Sequence, residues 1–207
     1  MLILASESPR RRELLAKIVE KFEVRSANVE EMSAGADLFC VPEINAKLKA
    51  QAVAVNYPDR IVIGADTAII FEDKFIGKPK DKADAERILL SFSGKRHSVV
   101  TGVAVVRCGN NPIDISFRDE SYVAFKVVSI EDIRKYMTEV HVLDKAGAYA
   151  IQEHAELIIA GFTGSLDNIV GLPTEKLKDI LSEFGYNAHV IKNPKTTIND
   201  FGTLSTG

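Results

Sequence analysis

Segments rich in β-branched residues alternate with segments of helical periodicity along this chain, and this alternation restricts the fold more than any other feature of the sequence. Strands are predicted at 2–5, 60–64, 68–71, 98–106, 122–128 and 157–159, and helices from Pro9, at about 42–55, and after Asp81, Ser129 and Pro173. Strands interleaved with helices indicate an α/β fold. Because several strands follow one another without a helix between them, at about 61–76 and 98–127, the sequence predicts a mixed β-sheet with flanking helices.

Helix ends are marked by residues that cap them. Ser8 precedes Pro9 in the pattern of an N-cap followed by the first helical residue. Ser129 with Asp132 resembles a capping box, and Gly185 would close the last helix. These residues predict where three of the helices begin or end.

Charge and composition exclude several classes of protein. The 207 residues include 26 Lys and Arg against 29 Asp and Glu, without the basic excess of a nucleic-acid-binding surface, so no nucleic-acid partner is expected. No apolar run approaches the roughly 20 residues of a membrane span, so no membrane association is expected. Cys40 and Cys108 lack metal-like spacing and indicate a reducing, cytoplasmic location. We predict one domain over 1–191, with two lobes about a cleft, and a polar tail over 192–207.

The densest group of chemically active side chains is at 6–12, where two serines precede three arginines. Arg10, Arg11 and Arg12 in a first helical turn oppose the helix dipole, at roughly a few tenths of a kcal/mol each, unless an anion lies among them. Together with the hydroxyls of Ser6 and Ser8 and free backbone N–H groups, these guanidiniums would hold a polyphosphate. From this segment alone, a solvated basic helix start explains the pattern equally well.

Asp66 follows the apolar strand predicted at 60–64, at the carboxyl edge where α/β sheets place their ligands. Its carboxylate there would hold a hard cation or take a proton from water; the alternative is a turn-forming residue before the next strand. Glu30 and Glu31 form an acidic pair in a loop, a pattern that is usually solvated surface. Lys78 places a cation in a tight turn, which is a weak signal by itself.

Residues 144–152 form a third region with the chemistry of a binding site. Small residues around Gly147 allow close backbone approach, and Tyr149 offers a ring. Gln152 offers a donor and an acceptor to a nucleobase edge, although a single glutamine is more often surface. The four histidines, at 97, 141, 154 and 189, are scattered, which favours structural or exposed positions over metal binding.

Taken together, these segments resemble the Maf family of nucleoside triphosphate pyrophosphatases. The matching segments occur in the family's order over about residues 2–190, at 4–11, 49–50, 63–67, 77–79, 93–102, 144–152 and 168–173. The resemblance implies hydrolysis between the α- and β-phosphates of a nucleoside triphosphate, with a divalent cation, Mg²⁺ or Mn²⁺, as cofactor. It also implies an elongated mixed sheet with helices around a central cleft, similar to inosine triphosphate pyrophosphatases, and a homodimer.

The resemblance assigns roles by motif match. Asp66 takes the catalytic acidic position and shares the metal with Glu31. The substrate-binding positions are Ser6, Ser8, Arg10, Arg11, Lys49, Thr67, Lys78 and Gln152. Among these, Arg10, Thr67 and Gln152 match the branch that acts on dTTP and UTP, and differ from the branch that acts on methylated GTP. Modified pyrimidine nucleotides are a related expectation, and a nucleotide-binding regulator of cell division without significant turnover is the alternative from another class.

Two residues depart from the pattern of the dTTP/UTP branch. Glu153 stands where that branch usually has glycine, and it would narrow the cleft near the base or change its charge. Lys95 stands where the family usually has arginine, so a forked donor is either supplied by Arg96 or lost.

Overall fold

The computed structural model describes residues 1–33 and 37–186, and a seven-stranded mixed β-sheet forms its centre. The strands are β1 Leu2–Leu4, β2 Phe22–Val24, β3 Val62–Phe71, β4 Lys74–Ile76, β5 Arg96–Arg107, β6 Ile113–Phe125 and β7 Ile159–Thr163. Their order is β2-β1-β3-β5-β6-β7, with β4 paired to β3. Because β1 is parallel to β2 and β3 whereas the other pairs are antiparallel, the predicted mixed sheet is confirmed.

Six α-helices flank the sheet in the described part of the chain. They are α1 Pro9–Ala16, α2 Val41–Ala54, α3 Lys82–Phe92, α4 Ile130–Glu139, α5 Leu166–Val170 and α6 Thr174–Glu183. The predicted caps form: the hydroxyl of Ser8 accepts from the N–H of Arg11, and Ser129 and Asp132 make the reciprocal bonds of a capping box. The polar tail predicted at 192–207 lies outside the described residues, and the single-domain boundary at 191 stays a prediction.

Strand β3 runs through the position where the sequence predicted a strand end. Pairing with β5 continues from Val62 to Ile70, so Asp66 lies inside the strand, and both the predicted carboxyl edge and the turn alternative are wrong. Gly64, where the predicted strand ends, is required by close packing with α2. A Cβ there would lie 2.1 Å from the backbone oxygen of Ala46 in α2. A glycine can therefore mark helix contact inside a strand rather than a turn.

Two strands on one side of the sheet differ from their predictions, and the strand at the opposite edge was not predicted. β6 begins at Ile113 rather than at 122, β7 begins at Ile159 where the predicted strand ended, and β2 was not predicted. The first half of β6 alternates Ile113 and Ile115 with Asp114 and Ser116, which is a strand signal for a half-exposed surface. Because this half of β6 also contains many polar residues, the more apolar segment after it gave the stronger strand signal.

The core is divided by a polar pair in the middle of the sheet. On one face, a cluster that includes Ile69 and Val99 packs with α3 and α4, and a second cluster that includes Ile63 and Val103 packs with α1 and α6. Between them, Thr67 of β3 is directly opposite Thr101 of β5. The other face of the sheet packs against α2. The break in the apolar face lies where the candidate site is found.

Candidate active site

A gap in strand pairing along β3 positions the site. One side of β3 pairs with β5, whereas the other side pairs with β1 up to Ile63 and with β4 from Ile69. Between these two residues, no strand in the described ranges pairs with that side. Asp66 and Thr67 lie in the gap, and successive strand residues point to opposite faces of the sheet. The side chain of Asp66 is therefore on the face that packs against α2, and that of Thr67 is on the face that packs against α1. A ligand at the gap can reach groups from both faces.

A cleft of about 640 Å³ is formed beside this gap. Eight of the ten residues that the sequence predicts for the site line it: Ser6, Ser8, Arg10, Arg11, Glu31, Thr67, Lys78 and Gln152. Asp66 and Lys49 are not in the lining and lie directly behind Glu31, to which Lys49 is bonded. Arg12, the third arginine of the cluster, is exposed and lies outside the lining. The structure thus brings the predicted residues together, and their individual roles stay predictions.

The turn between β1 and α1 supplies hydroxyls and cations to one wall. The backbone N–H of Ser8 donates to the hydroxyl of Ser6 at 3.3 Å, and Ser8 caps the helix through the N–H of Arg11 at 3.4 Å. This N-cap fixes the first turn, so Arg10 and Arg11 project from a defined helical position. Two of the three arginines that oppose the helix dipole, Arg10 and Arg11, thus line the cleft, where an anion would compensate for them.

Arg11 is held by three uncharged acceptors. Its Nε donates to the backbone oxygen of Gly171 at 2.9 Å, Nη1 to the hydroxyl of Ser6 at 3.2 Å, and Nη2 to that of Thr67 at 2.9 Å. Burial of the guanidinium lowers the pKa of Arg11, and the carboxylates of Asp66 and Glu31 oppose this decrease. None of these three direct bonds neutralises the cation, so its charge remains available to an anionic ligand.

A polar network that sequence reasoning missed fixes this arrangement from behind. The hydroxyl of Thr67 lies 3.0 Å from that of Thr101, which donates to the backbone oxygen of Asn168 at 2.9 Å. The side chain of Asn168, fully buried, donates to the backbone oxygen of Val99 and to the hydroxyl of Ser121. The segment 168–173 therefore holds Arg11 both through Gly171 and through the threonine pair. That segment belonged to the family resemblance, but no role had been predicted for it.

The acidic residues meet on the α2 face. The Nζ of Lys49 lies 2.8 Å from Asp66 Oδ1 and 2.9 Å from Glu31 Oε1, so one ammonium bridges both carboxylates. The side chain of Asp66 is 15% exposed, whereas that of Glu31 is 51% exposed and reaches the cleft. Asn45 donates to the second oxygen of Asp66 at 3.1 Å and was not predicted. In α2, Asn45 and Lys49 are polar residues on the buried face, and that break in the apolar pattern was the available signal.

Residues 144–152 and the turn at Lys78 form the opposite wall. The N–H of Gly147 donates to the backbone oxygen of Gly77 at 3.0 Å and so joins the two segments. Gly147 has a φ of 69°, and a Cβ there would lie 2.6 Å from Ile69. This is the close approach that the small residues predicted. Lys78 and Gln152 are exposed and line the same cleft as Arg10 and Arg11.

Tyr149 anchors this wall to the core. Its hydroxyl lies 2.8 Å from Nε2 of His97, whose ring stacks on Phe92 with centroids 4.4 Å apart. Burial lowers the pKa of His97 to about 4 and raises that of Tyr149, so both rings are neutral near pH 7. The predicted structural role for a histidine at 97 agrees with this position, since its ring is 3% exposed.

The two departures from the family pattern lie outside the cleft. Lys95 binds Glu72 at 2.9 Å, and the guanidinium of Arg96 lies over the ring of Tyr122 at 4.6 Å. Neither residue supplies a donor to the site in this structure. Glu153 lies 3.6 Å from Lys145, and Lys145, 5% exposed, does line the cleft. The extra acid is thus placed next to a buried cation.

Comparison with known proteins places this architecture in a family. The family model described as Maf-like protein matches residues 1–184. The chain belongs to the Maf family. It is 43% identical over 186 residues to the dTTP/UTP pyrophosphatase of Symbiobacterium thermophilum, covering 89% of this chain and 94% of that one. It is 40% identical over 190 residues to the dTTP/UTP pyrophosphatase of Akkermansia muciniphila, covering 90% and 97%. The predicted membership of this family is therefore confirmed.

The fold of this Maf protein is also found in a solved structure of low sequence identity. The Staphylococcus aureus Ham1 protein aligns with a TM-score of 0.52 at 16% identity, over 88% of this chain and 98% of that one. At this identity the likeness concerns the fold alone. With the mixed seven-stranded sheet, it confirms the predicted fold class. No helix within 1–33 and 37–186 is long and apolar enough to span a membrane.

Proposed function

We propose that this Maf protein hydrolyses dTTP and UTP to the monophosphate and pyrophosphate. The proposal depends on one observation: the cleft combines Arg11, whose direct hydrogen-bond partners are uncharged, with Glu31 and the carboxylate of Asp66 behind it. A triphosphate carries the negative charge that the arginine wall lacks. The relatives named dTTP/UTP pyrophosphatase, similar over nine-tenths of the chain, support the choice of nucleotide.

The carboxylates support a role for a divalent cation. Asp66 and Glu31 converge on a single atom of Lys49, and hard cations such as Mg²⁺ take one or two carboxylates together with substrate phosphate oxygens. Among the described residues, no group of three or more His, Cys, Asp or Glu could hold a metal ion. The two carboxylates therefore fit a cation that binds weakly to the protein alone and takes its remaining ligands from water and from phosphate oxygens. Such a cation supplies charge neutralisation on the phosphates and acidifies bound water.

The residues of the chain would divide the chemistry between the two sides of the cleft. On the acidic side, Asp66 orients or deprotonates the water that attacks the α-phosphorus. Away from the carboxylates, Arg11 of α1 and Lys78 of the turn after β4 stabilise the charge that accumulates on the departing pyrophosphate. In this structure Lys49 binds both carboxylates, so its charge stabilises the acidic pair in the absence of substrate. The fixed geometry of Arg11 means that little reorganisation is needed on binding.

Pyrophosphate release from a panel of nucleotides tests the proposal. Wild-type protein is incubated with dTTP, UTP, CTP, GTP and ATP, with Mg²⁺ or Mn²⁺, and the products are separated by ion-exchange chromatography. We expect monophosphate and pyrophosphate in equal amounts, with dTTP and UTP turned over fastest. Diphosphate and orthophosphate as products would show attack at the wrong phosphorus. Tight nucleotide binding with no product would favour the regulator without turnover.

The same panel extends to modified pyrimidine triphosphates, which the resemblance includes as substrates. A homodimer, which the resemblance implies, and a cytoplasmic location, which Cys40 and Cys108 indicate, are further proposals. Sedimentation equilibrium tests the first, and cell fractionation with an antibody tests the second. A monomer at micromolar concentration, or recovery with membranes, would contradict them.

A further inference from the structure

Asn45 of α2 has a buried side chain that makes three hydrogen bonds at the acidic side of the cleft. The residue is 2% exposed. Its Oδ1 accepts from the backbone N–H of Met32 at 2.8 Å, and its Nδ2 donates both to the backbone oxygen of Met32 at 3.0 Å and to Asp66 Oδ2 at 3.1 Å. Both amide hydrogens and the amide oxygen are therefore engaged.

The orientation of this amide follows from its partners. A backbone N–H is only a donor, so the atom of Asn45 that faces the N–H of Met32 has to be the oxygen. The amide nitrogen then faces the carboxylate of Asp66, which is only an acceptor when ionised. Reversing the amide would place oxygen against oxygen at two contacts. The donation from Asn45 to Asp66 is thus set by the backbone N–H and carbonyl of Met32 together with the carboxylate itself.

Asn45 and Lys49 together hold both carboxylates of the candidate site. They are four residues apart on one face of α2, and each engages a different oxygen of Asp66. Lys49 also binds Glu31, and Asn45 holds the backbone of the next residue, Met32. One helical turn therefore fixes the position of Asp66 and the loop that carries Glu31.

Packing alone does not account for an asparagine at this position. Neighbouring buried positions of α2 carry apolar residues, among them Ala46 and Ala50, which pack on the sheet. A buried amide loses its hydration and needs partners to compensate for that loss. All of the hydrogen-bond partners of Asn45 belong to the acidic side of the site. The amide of Asn45 therefore acts on the residues of that side.

We propose that Asn45 is a positioning residue that holds the Asp66 carboxylate and the Glu31 loop in the mutual geometry needed to bind a divalent cation. The inference rests on the proposed function for its catalytic consequence, since the cation would act on a nucleotide. Its structural part concerns the protein without nucleotide. Partners that orient metal ligands commonly change metal affinity or activity by roughly 10- to 100-fold when removed.

The test uses Asn45→Leu, which removes all three hydrogen bonds at similar side-chain volume. Amide hydrogen exchange, followed by mass spectrometry on peptides within 26–33, reports the loop. Calorimetric titration with Mn²⁺ alone reports the carboxylates. We expect exchange at Met32 to be roughly tenfold faster and the apparent Kd for Mn²⁺ to rise roughly 10- to 100-fold. For dTTP, kcat should fall by roughly tenfold or more, with KM changed by less than about threefold.

Lys47→Ala is the matched control on the same helix. Lys47 binds Asp114 of β6 at 2.8 Å and faces away from Asp66, so loop exchange and Mn²⁺ affinity should equal those of wild type. If Asn45→Leu does not fold, as judged by circular dichroism, Asn45→Ala removes the same bonds without adding bulk. Wild-type protein gives a further check, because the amide of Met32 should exchange at least about tenfold more slowly than in an unfolded chain.

The outcomes separate the inference from the proposed function. Faster loop exchange together with weaker Mn²⁺ binding supports the inference. A change in only one of the two, in neither, or free exchange of the wild-type Met32 amide overturns it. If wild-type protein does not hydrolyse dTTP, the proposed function fails, whereas the exchange and Mn²⁺ measurements still decide the role of Asn45.

Discussion

Acidification should destabilise this protein through His97, a histidine buried in the core behind Tyr149 of the cleft. Burial lowers the pKa of His97 from its ordinary 6.5 to about 4 in the folded state. Between these two values the unfolded chain binds a proton that the folded chain does not, so stability falls as the pH falls through this window. From pH 7 to pH 5, linkage gives a loss of about 2 kcal/mol from this one residue.

The assay is urea unfolding of wild type and of His97→Gln at pH 7 and pH 5. Glutamine does not titrate and retains an amide near the hydroxyl of Tyr149, so carboxylate contributions are shared and cancel in the comparison. We expect the wild-type midpoint to fall by about 1 M more than that of the variant, for a urea dependence of about 2 kcal/mol per M. Equal pH dependence in the two proteins would refute the reasoning, because it would show that His97 is accessible to protons when folded.

Two further substitutions test the contacts around β3. Gly64→Ala should destabilise the protein by at least about 3 kcal/mol, or prevent folding, because the new Cβ would lie 2.1 Å from the backbone oxygen of Ala46. Thermal unfolding measures the loss of stability. A melting temperature within a few degrees of that of wild type would contradict the prediction. Thr67→Val should raise KM for dTTP by roughly tenfold in steady-state kinetics, because Arg11 and Thr101 lose a hydroxyl partner. Thr67→Ser keeps the hydroxyl and should remain near wild type. Equal effects of the two substitutions would exclude loss of the hydroxyl as the cause.

Local signals in the sequence were enough to predict the mixed character of the sheet and the starts of five of the six described helices, all except α5. The cap bonds of Ser8 and Ser129 join residues three positions apart, so a short stretch of sequence is enough to predict them. The same locality explains the errors. Glycine is typical of turns, and only the close approach of α2 shows that Gly64 lies inside a strand and permits a helix contact there. The conformation at Gly64 is therefore set by tertiary packing, which the local sequence pattern does not contain.

The candidate site shows the same division. Motif order predicted that distant segments meet in one cleft, and eight of the ten predicted residues line it. The partners that hold those residues, such as Asn45 and Gly171, were not predicted, because a backbone carbonyl or a single buried amide leaves almost no trace in the sequence. A polar residue on the buried face of a predicted helix was the one signal available for Asn45.

Replacing Asp66 by asparagine tests the central claim most directly. The change keeps the shape of the side chain and removes its negative charge, which the Nζ of Lys49 binds at 2.8 Å. We expect pyrophosphate release from dTTP to fall by at least about 100-fold, the scale of one positioned acid–base group, with dTTP still bound in calorimetry. Asp73→Asn, in the exposed turn after β3, is the control and should keep wild-type turnover. Near-normal turnover by Asp66→Asn would contradict the account.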